Sequence, residues 1–163
     1  MRFIYKNFKH SIFYICIYLL ATACSTPSND VFEKNAQDIA TNLFDSLFAK
    51  KYEAMFKLYD PRFFERITPV EWVDNLEKLE KKLGPFQSFK QTASDVTQGF
   101  SQNSTATTVL VYRVYYEKTY TIQKLTFASN PDASNMRVVG HYIDFPALSP
   151  EEETGKWPVP KPQ

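Results

Sequence analysis

The sequence predicts an α+β domain in which N-terminal helices pack on a curved, four-stranded antiparallel sheet. Apolar residues recur at helical spacing up to residue 83, and from residue 86 to residue 145 apolar and polar residues alternate. Blocks of helical and alternating periodicity that follow one another in a chain are typical of α+β domains. The segments between the alternating blocks are short and polar, which favours antiparallel neighbours.

The first residues have the layout of a secretory signal peptide. Arg2, Lys6 and Lys9 precede an uncharged, largely apolar run over residues 11–23, and the first acidic residue is Asp30. Such a signal consists of a basic start, an apolar run and a small-residue end. A membrane-spanning helix needs about 20 apolar residues, so we expect residues 1–23 to be a cleaved signal rather than an anchor.

The apolar run ends in Leu20-Ala21-Thr22-Ala23-Cys24, which resembles the lipobox of bacterial lipoproteins. The departure from the usual motif is Ala21, which stands where most lipoboxes have leucine. The resemblance implies that Cys24 receives a diacylglyceryl group and palmitate, and that this lipid anchors the protein to the membrane of the cell envelope. Ser25, in place of aspartate, implies an outer-membrane protein that faces the periplasm.

Ordinary secretion is the alternative, because Ala21-Thr22-Ala23 is also a site for general signal peptidase. Cys24 would then remain an exposed free thiol in an oxidising compartment, since the other cysteine, Cys16, lies in the signal. A thiol of that kind is prone to oxidation, which favours lipidation. The mature chain has no pair of cysteines for a disulfide, so burial of apolar side chains has to stabilise the fold.

Charge excludes one class of partner. The sequence has 19 Lys and Arg against 18 Asp and Glu, and three of the basic residues lie in the signal, so the mature chain is weakly acidic. Nucleic-acid-binding domains carry clustered positive charge, and we therefore expect no nucleic-acid partner. Aromatic residues make up 16% of the sequence, which is enough to supply the core of one domain.

Proline and charge mark the domain boundaries. Residues 24–29 predict a short polar tether behind the lipid, and residues 30–145 predict the α+β domain. From Pro146 onward prolines interrupt a charged stretch that contains Glu151-Glu152-Glu153. Residues 146–163 therefore predict a flexible, Pro-rich tail.

The first two helices are predicted from caps and apolar spacing. Asp30 is followed three residues later by Glu33, the spacing of a capping box, and the apolar stripe behind it reaches residue 48. Residues 52–59 predict a short second helix, which Asp60-Pro61 stops. Asp60 and Asp95 are both interpreted as turn residues.

The third predicted helix has the clearest N-terminal capping residues. Thr68-Pro69-Val70-Glu71 combines an N-cap, a proline in the first turn and a capping-box glutamate. Trp72 is the first residue of the apolar stripe that we expect to be buried. Glu77 and Lys81 have the spacing of an ion pair on the solvent-exposed side of the helix. Gly84-Pro85 ends the helix.

Four strands are predicted over residues 86–94, 105–117, 120–128 and 136–145. The second strand carries apolar residues on both faces, so either both faces are partly covered or one of them faces a pocket. One face has Leu110, Tyr112, Val114 and Tyr116, and the other has Val109, Val111, Arg113 and Tyr115.

Four motifs carry a resemblance to a known superfamily. They are Lys51-Tyr52-Glu53-Ala54, Thr68-Pro69-Val70-Glu71-Trp72, Leu83-Gly84-Pro85-Phe86 and Gly140-His141-Tyr142-Ile143. In order and spacing, over residues 36–144, they resemble uncharacterised envelope lipoproteins of the cystatin-like superfamily, which includes nuclear transport factor 2 and the ketosteroid isomerases. The resemblance implies helices on a strongly bent antiparallel sheet and an envelope location, but no particular reaction.

Standard catalytic signatures are absent from the sequence, which has no nucleophile elbow, zinc-protease motif, phosphate loop or C-x-x-C. His141 is the single histidine of the mature chain and a candidate general base. A structural histidine in a strand is the simpler interpretation. Histidine and cysteine are too few for a zinc site, and we expect neither a metal nor a cofactor.

Isomerase-like relatives imply an acid and a tyrosine in a conical pocket. Asp144, Tyr142 and Arg113 are the candidates for lining such a cavity with His141, which would make the protein a small cofactor-free isomerase or hydratase. The alternative is structural. Asp144 then ends a strand, Tyr142 packs with its hydroxyl at the rim, and Arg113 forms an exposed ion pair.

The tail is a further candidate for binding, because Trp157, Pro158 and Pro160 place an aromatic anchor on a stiff backbone. Three functions stay open. The domain binds an envelope protein or a small apolar ligand without catalysis, or it is a small isomerase- or hydratase-like enzyme, or it is an envelope assembly or structural factor that acts through the tail. The missing catalytic signatures favour the first.

Overall fold

The computed structural model describes residues 27–99 and 104–144. The predicted signal and Cys24 lie outside the described residues, and so does the tail with Trp157, Pro158 and Pro160. The described part is an α+β domain, as the sequence predicts. Its helices are α1 (Asn29–Phe48), α2 (Tyr52–Phe56), a 3₁₀ helix (Pro61–Glu65) and α3 (Pro69–Leu83), and its strands are β1 (Phe86–Thr97), β2 (Ala106–Tyr116), β3 (Tyr120–Ser129) and β4 (Arg137–Asp144).

The four strands form one open antiparallel sheet in the order β1-β2-β3-β4. β1 continues to Thr97, beyond its predicted end, and Asp95 pairs with Val109 inside the strand. The interpretation of Asp95 as a turn residue is therefore wrong. Val96 packs against the core, so the inward alternation of β1 continues past the polar residues that suggested a turn. Bulges in β1 and β4 bend the sheet.

α1 packs on the inner face of β1 and β2. Phe44 is its central contact, with ring centroids 4.6 Å from Phe89 and 5.1 Å from Tyr112. Burying one such side chain stabilises the fold by roughly 1.5–3 kcal/mol, so burial of this stripe holds α1 in place. The fully buried residues of α1 are Phe32, Ala36, Ala40, Leu43 and Phe44.

The capping box expected at Asp30 does not form. α1 begins before that residue, and its N-cap is Ser28, whose side chain makes no capping hydrogen bond. Glu33 instead accepts hydrogen bonds from Gln91 Nε2 at 3.0 Å and from Gln37 Nε2 at 3.2 Å. The glutamate that the sequence predicts as a capping residue thus binds a side chain of β1 instead.

α3 starts as predicted. Glu71 N donates to Thr68 Oγ1 at 3.2 Å, and Thr68 N donates to Glu71 Oε2 at 2.9 Å, which is the reciprocal pattern of a capping box. The predicted pairing of Glu77 with Lys81 is wrong. Glu77 accepts a hydrogen bond from Tyr52 Oη at 3.1 Å instead, which ties α3 to α2.

The turn from α3 into β1 requires glycine. Gly84 has a φ of 87°, and a Cβ at this position would lie 2.7 Å from Glu117 Cβ. The turn between β2 and β3 closes over it, because Glu117 N donates to Pro85 O at 2.9 Å. The predicted end of α3 at Gly84-Pro85 is confirmed.

The chain between α2 and the 3₁₀ helix adds a short parallel segment to the edge of β4. Tyr59 bridges Val138. Val138 N donates to Leu58 O at 3.0 Å, and Asp60 N donates to Val138 O at 2.8 Å. α2 is therefore shorter than the predicted second helix, since the residues that would extend it are used at the sheet edge.

The capping box predicts a measurable stability difference between two substitutions at one exposed site. Thr68→Ala removes the oxygen that accepts the Glu71 N–H, and we expect a loss of about 1 kcal/mol in the free energy of unfolding. Thr68→Ser keeps that oxygen and should lose far less. Urea unfolding with an unchanged m-value measures both. Equal losses for the two variants would contradict the capping role.

Candidate functional site

His141 is the centre of a chain of polar side chains behind the edge of β4. Its Nδ1 lies 2.7 Å from Tyr59 Oη, and its Nε2 lies 2.8 Å from Gln123 Oε1. Trp72 Nε1 donates to Tyr59 Oη at 3.3 Å. Four side chains thus join α3, the segment that bridges β4, and the two last strands of the sheet.

Gln123 carries this chain into the interior. The residue is fully buried, and its Nε2 donates to Tyr116 Oη at 3.3 Å and to Thr121 Oγ1 at 3.1 Å. Its Oε1 is the atom that faces His141. A buried amide without partners costs on the order of 1–3 kcal/mol, and here both amide donors and the carbonyl oxygen have partners.

The directions of the hydrogen bonds determine the tautomer of His141. The carbonyl oxygen of Gln123 can only accept, so His141 Nε2 donates to it, and Nδ1 of the neutral ring accepts the hydroxyl proton of Tyr59, whose oxygen also accepts from the indole of Trp72. A nitrogen that accepts this proton carries none of its own. The proton of the neutral ring is therefore on Nε2, which donates it to Gln123 Oε1.

Loss of hydration favours the neutral imidazole. Desolvation lowers the pKa of His141 to about 3, because both neighbours of the ring are uncharged and cannot replace the lost hydration of a cation. Burial likewise raises the pKa of Tyr59. A general base that works near neutral pH needs a pKa close to 7 and a free nitrogen. Both nitrogens of His141 are instead bonded within the fold, which is the arrangement of a structural histidine.

The other candidate catalytic residues are not gathered around His141. His141 pairs with Leu125, which is fully buried, and so lies on the inner face of the sheet. Successive residues of a strand point to opposite faces, which puts Tyr142 on the outer face. Asp144 is also on the outer face, where it and Arg113 each lie opposite Ile122. The expected cavity of Asp144, Tyr142, Arg113 and His141 is therefore not formed.

Arg113 takes neither of its two predicted roles. Its guanidinium lies over the ring of Tyr120, 4.6 Å from the centroid. Its Nε is buried without a hydrogen-bond partner, and it forms no ion pair with the described residues. The cation is instead held against an aromatic face, an arrangement worth about 0.5–2 kcal/mol.

The inner face of the sheet is filled with side chains. Leu110, Leu125 and Phe127 of β2 and β3 are fully buried, and they belong to the same core as Phe32 and Phe44 of α1. The site of the conical pocket that the resemblance implies is thus occupied by the packing of α1 on the sheet.

A groove of about 610 Å³ lies beside β4 and extends from His141 onto the outer face of the sheet. Phe63 and Ile67, in and just after the 3₁₀ helix, form one wall, and Thr126 of β3 belongs to the facing sheet surface. His141 and Tyr142 line it from β4. Tyr142 is 59% exposed, and so presents a large aromatic surface to anything bound in the groove.

Positive charge surrounds this groove. Arg62, Arg66 and Lys124 line it, and Glu65 is the acidic residue beside them. Arg62 forms an ion pair with Asp60. The hydrogen bonds from Arg62 lower the pKa of the Asp60 carboxyl to about 2. Arg66 and Lys124 form no ion pair within the described ranges. Two unpaired cations therefore face the single carboxylate of Glu65.

A second recess, of about 260 Å³, lies between α3 and β4. Trp72 and Leu79 of α3 line it, together with His141, Tyr142 and Ile143 of the strand. The edge of β4 thus runs between the two recesses. Past the bridge at Tyr59, no backbone segment of residues 27–99 or 104–144 pairs with this edge.

The described residues contain no group of three or more His, Cys, Asp or Glu that could hold a metal ion. Among the helices that the structure describes, none has both the length and the apolar character needed to cross a membrane.

Comparison with known proteins gives no relative: no family model, curated protein or solved structure matches the chain. The resemblance to the cystatin-like superfamily therefore stays a sequence-based expectation. Function has to be argued from the residues of the site.

The sequence identifies His141 and Trp72 as residues of interest but not the two residues that join them to the fold. In the sequence, Tyr59 is predicted to be one of several aromatic residues on the buried face of a helix. Gln123 carries the stronger indication, because it is a polar residue at an inward position between Thr121 and the fully buried Leu125. A buried amide needs partners, but the sequence does not say which.

The low pKa of His141 predicts a pH dependence of stability. In the unfolded chain the ring takes up a proton below pH about 6.5, whereas the folded ring stays neutral down to about pH 3. The unfolded state then binds more protons, so the free energy of unfolding falls as the pH drops through this window, by at most about 1.4 kcal/mol per pH unit.

Urea unfolding of the wild type and of His141→Gln at about pH 7, 6 and 5 checks this effect, because these values run from above the usual histidine pKa of about 6.5 to well below it. Carboxylates titrate equally in both proteins, so the extra loss in the wild type belongs to His141. The variant should have a lower free energy of unfolding at pH 7, and this free energy should change less with pH than that of the wild type. Parallel curves would show that the ring titrates in the folded state as it does in the unfolded chain.

Proposed function

We propose that this protein is a lipid-anchored component of the bacterial cell envelope whose domain binds a protein segment and catalyses no reaction. The groove beside β4 is its binding surface. The observation that carries the proposal is the contrast at His141. The imidazole is bonded at both nitrogens on the inner side of the strand, while the described chain leaves the groove beside it open.

The chemistry of the groove favours an extended protein segment over a small apolar ligand. Past Tyr59 the described residues leave the edge of β4 unpaired, and its backbone groups are available for strand addition. The exposed ring of Tyr142 offers an aromatic contact of the kind that dominates interfaces. Arg66 and Lys124 attract acidic groups. A small apolar ligand would gain nothing from these cations and would pay for their desolvation.

The basic start, apolar run and lipobox-like end at Cys24 support the location. α1 begins at Asn29, and an extended chain advances about 3.3 Å per residue, so a lipid on Cys24 holds the domain close to the membrane surface. One acyl chain alone gives only marginal membrane binding, whereas two or more anchor a protein stably. The multiple chains of a bacterial lipoprotein meet that requirement.

The location is tested by the mass and distribution of the full-length protein in a lipoprotein-competent bacterium. We expect a mature chain that begins at Cys24, carries diacylglyceryl and acyl groups, and sediments with the membranes. Cys24→Ser is the control and should lose both the added mass and the membrane fraction. An unmodified wild-type chain in the soluble fraction would refute the lipid anchor.

The binding surface is tested in the same cells by photo-cross-linking from two exposed aromatic positions. A photoreactive p-benzoylphenylalanine replaces Tyr142 at the groove or, as the control, Phe48, which is 62% exposed and packs on Phe86 of β1 at the opposite edge of the sheet. We expect a defined adduct with one envelope protein only from position 142.

Arg66→Glu in the same protein should reduce that adduct severalfold, because it reverses one of the two unpaired cations of the groove. Identical products from both positions, or no adduct from position 142, would contradict the groove as the binding surface.

A further inference from the structure

The groove beside β4 has a potential occupant on the same chain. Residues 145–163 continue directly from Asp144, the last residue of β4. Their most charged stretch is Glu151-Glu152-Glu153, and the groove presents Arg66 and Lys124 without ion-pair partners among the described residues. The charges of the two are complementary.

The position of the acidic stretch also fits. Pro146 has no N–H to donate to a sheet ladder, and proline favours a turn. If the chain turns back there, an antiparallel return brings residue 151 level with Tyr142, since both then lie a similar number of residues from the turn. Lys124 pairs with Tyr142 across the sheet, which places its ammonium beside the returning carboxylates.

We propose that residues 145–163 fold back along the free edge of β4 and that Glu151-Glu152-Glu153 occupies the groove of Arg66, Lys124 and Tyr142. The proposal rests on the proposed function in one respect, since it takes this groove to be the binding surface and makes the tail its intramolecular ligand. The tail then competes with an external segment and so regulates access to the site.

Connectivity gives the tail an advantage over other acidic segments. A segment joined to its site by a short linker acts at an effective concentration of about a millimolar, so weak contacts suffice to hold it. Exposed ion pairs contribute about 0.2–1 kcal/mol each and weaken with salt. The docked tail is therefore released by salt and displaced by a tighter-binding partner.

A zero-length carbodiimide reagent tests this contact in the full-length lipidated protein in detergent. The reagent joins a carboxylate to an amine that touches it, so the expected product is an amide between Lys124 and one of the three glutamates, identified by peptide mass spectrometry. Yield at Lys124 should exceed that at Lys34, Lys81 and Lys90, which are exposed elsewhere on α1, α3 and β1.

Arg66→Gln removes a neighbouring cation and keeps the reactive amine. It should lower the Lys124 product by about two- to fivefold, as expected for the loss of one exposed ion pair. Lys90→Gln is the matched control and should leave the yield unchanged. High salt should suppress the product in the wild type.

Mixing isotope-labelled and unlabelled protein separates the tail from a second copy. A contact within one chain yields only products of uniform label, whereas a contact between copies also yields mixed-label products. Mixed-label products, or products spread evenly over the exposed lysines, would overturn the proposal. The proposed function fails separately, when position 142 gives no envelope adduct. If both hold, Glu151, Glu152 and Glu153 replaced by Gln should raise that adduct severalfold.

Discussion

The hydrogen bond between Tyr59 and His141 connects parts of the chain that are 82 residues apart, and the arrangement of the β4 edge depends on it. On one side Tyr59 accepts from Trp72 of α3, and on the other His141 donates to Gln123 of β3. The same segment pairs through its backbone with Val138. Without this chain of bonds, Trp72 Nε1 and Gln123 Oε1 would lose the hydrogen-bond partners that they have in the interior.

The same bond distinguishes the two sides of β4. Because this bond holds His141 on the inner face, the inner side of β4 stabilises the fold. The described residues leave its outer side open. The open side combines the exposed ring of Tyr142, the unpaired cations of Arg66 and Lys124, and a strand edge that is unpaired by the described chain. Our proposal takes this open side as the surface that binds a segment of protein. The inner face of β2 and β3, where the isomerase-like alternative expects its pocket, is filled by the side chains on which α1 packs.

The fold could be predicted from the sequence because its determinants are local and periodic. The apolar spacing of α1, the capping box at Thr68, Gly84-Pro85 and the alternation of the strands each depend on residues a few positions apart. The failures share the opposite property. The glutamate expected to cap α1 is bound by Gln91, and the neighbours of His141 are Tyr59 and Gln123. Such partners are far away in the chain, and only the packed structure determines them. The groove likewise arises where the 3₁₀ helix meets the outer face of the sheet, which no local pattern encodes.

The state of His141 tests the account most directly. The mature chain that we expect contains one histidine, so nitrogen-detected NMR of the labelled protein reports a single imidazole. We predict one protonated nitrogen, Nε2, and one bare nitrogen, Nδ1, with no change as the pH is lowered from about 7 to about 5, a window that includes the usual histidine pKa of about 6.5. Tyr59→Phe should let the ring titrate more readily. A wild-type ring that exchanges between tautomers, or that takes up a second proton near pH 6.5 (about the value of a free histidine), would contradict the locked histidine and restore it as a candidate base.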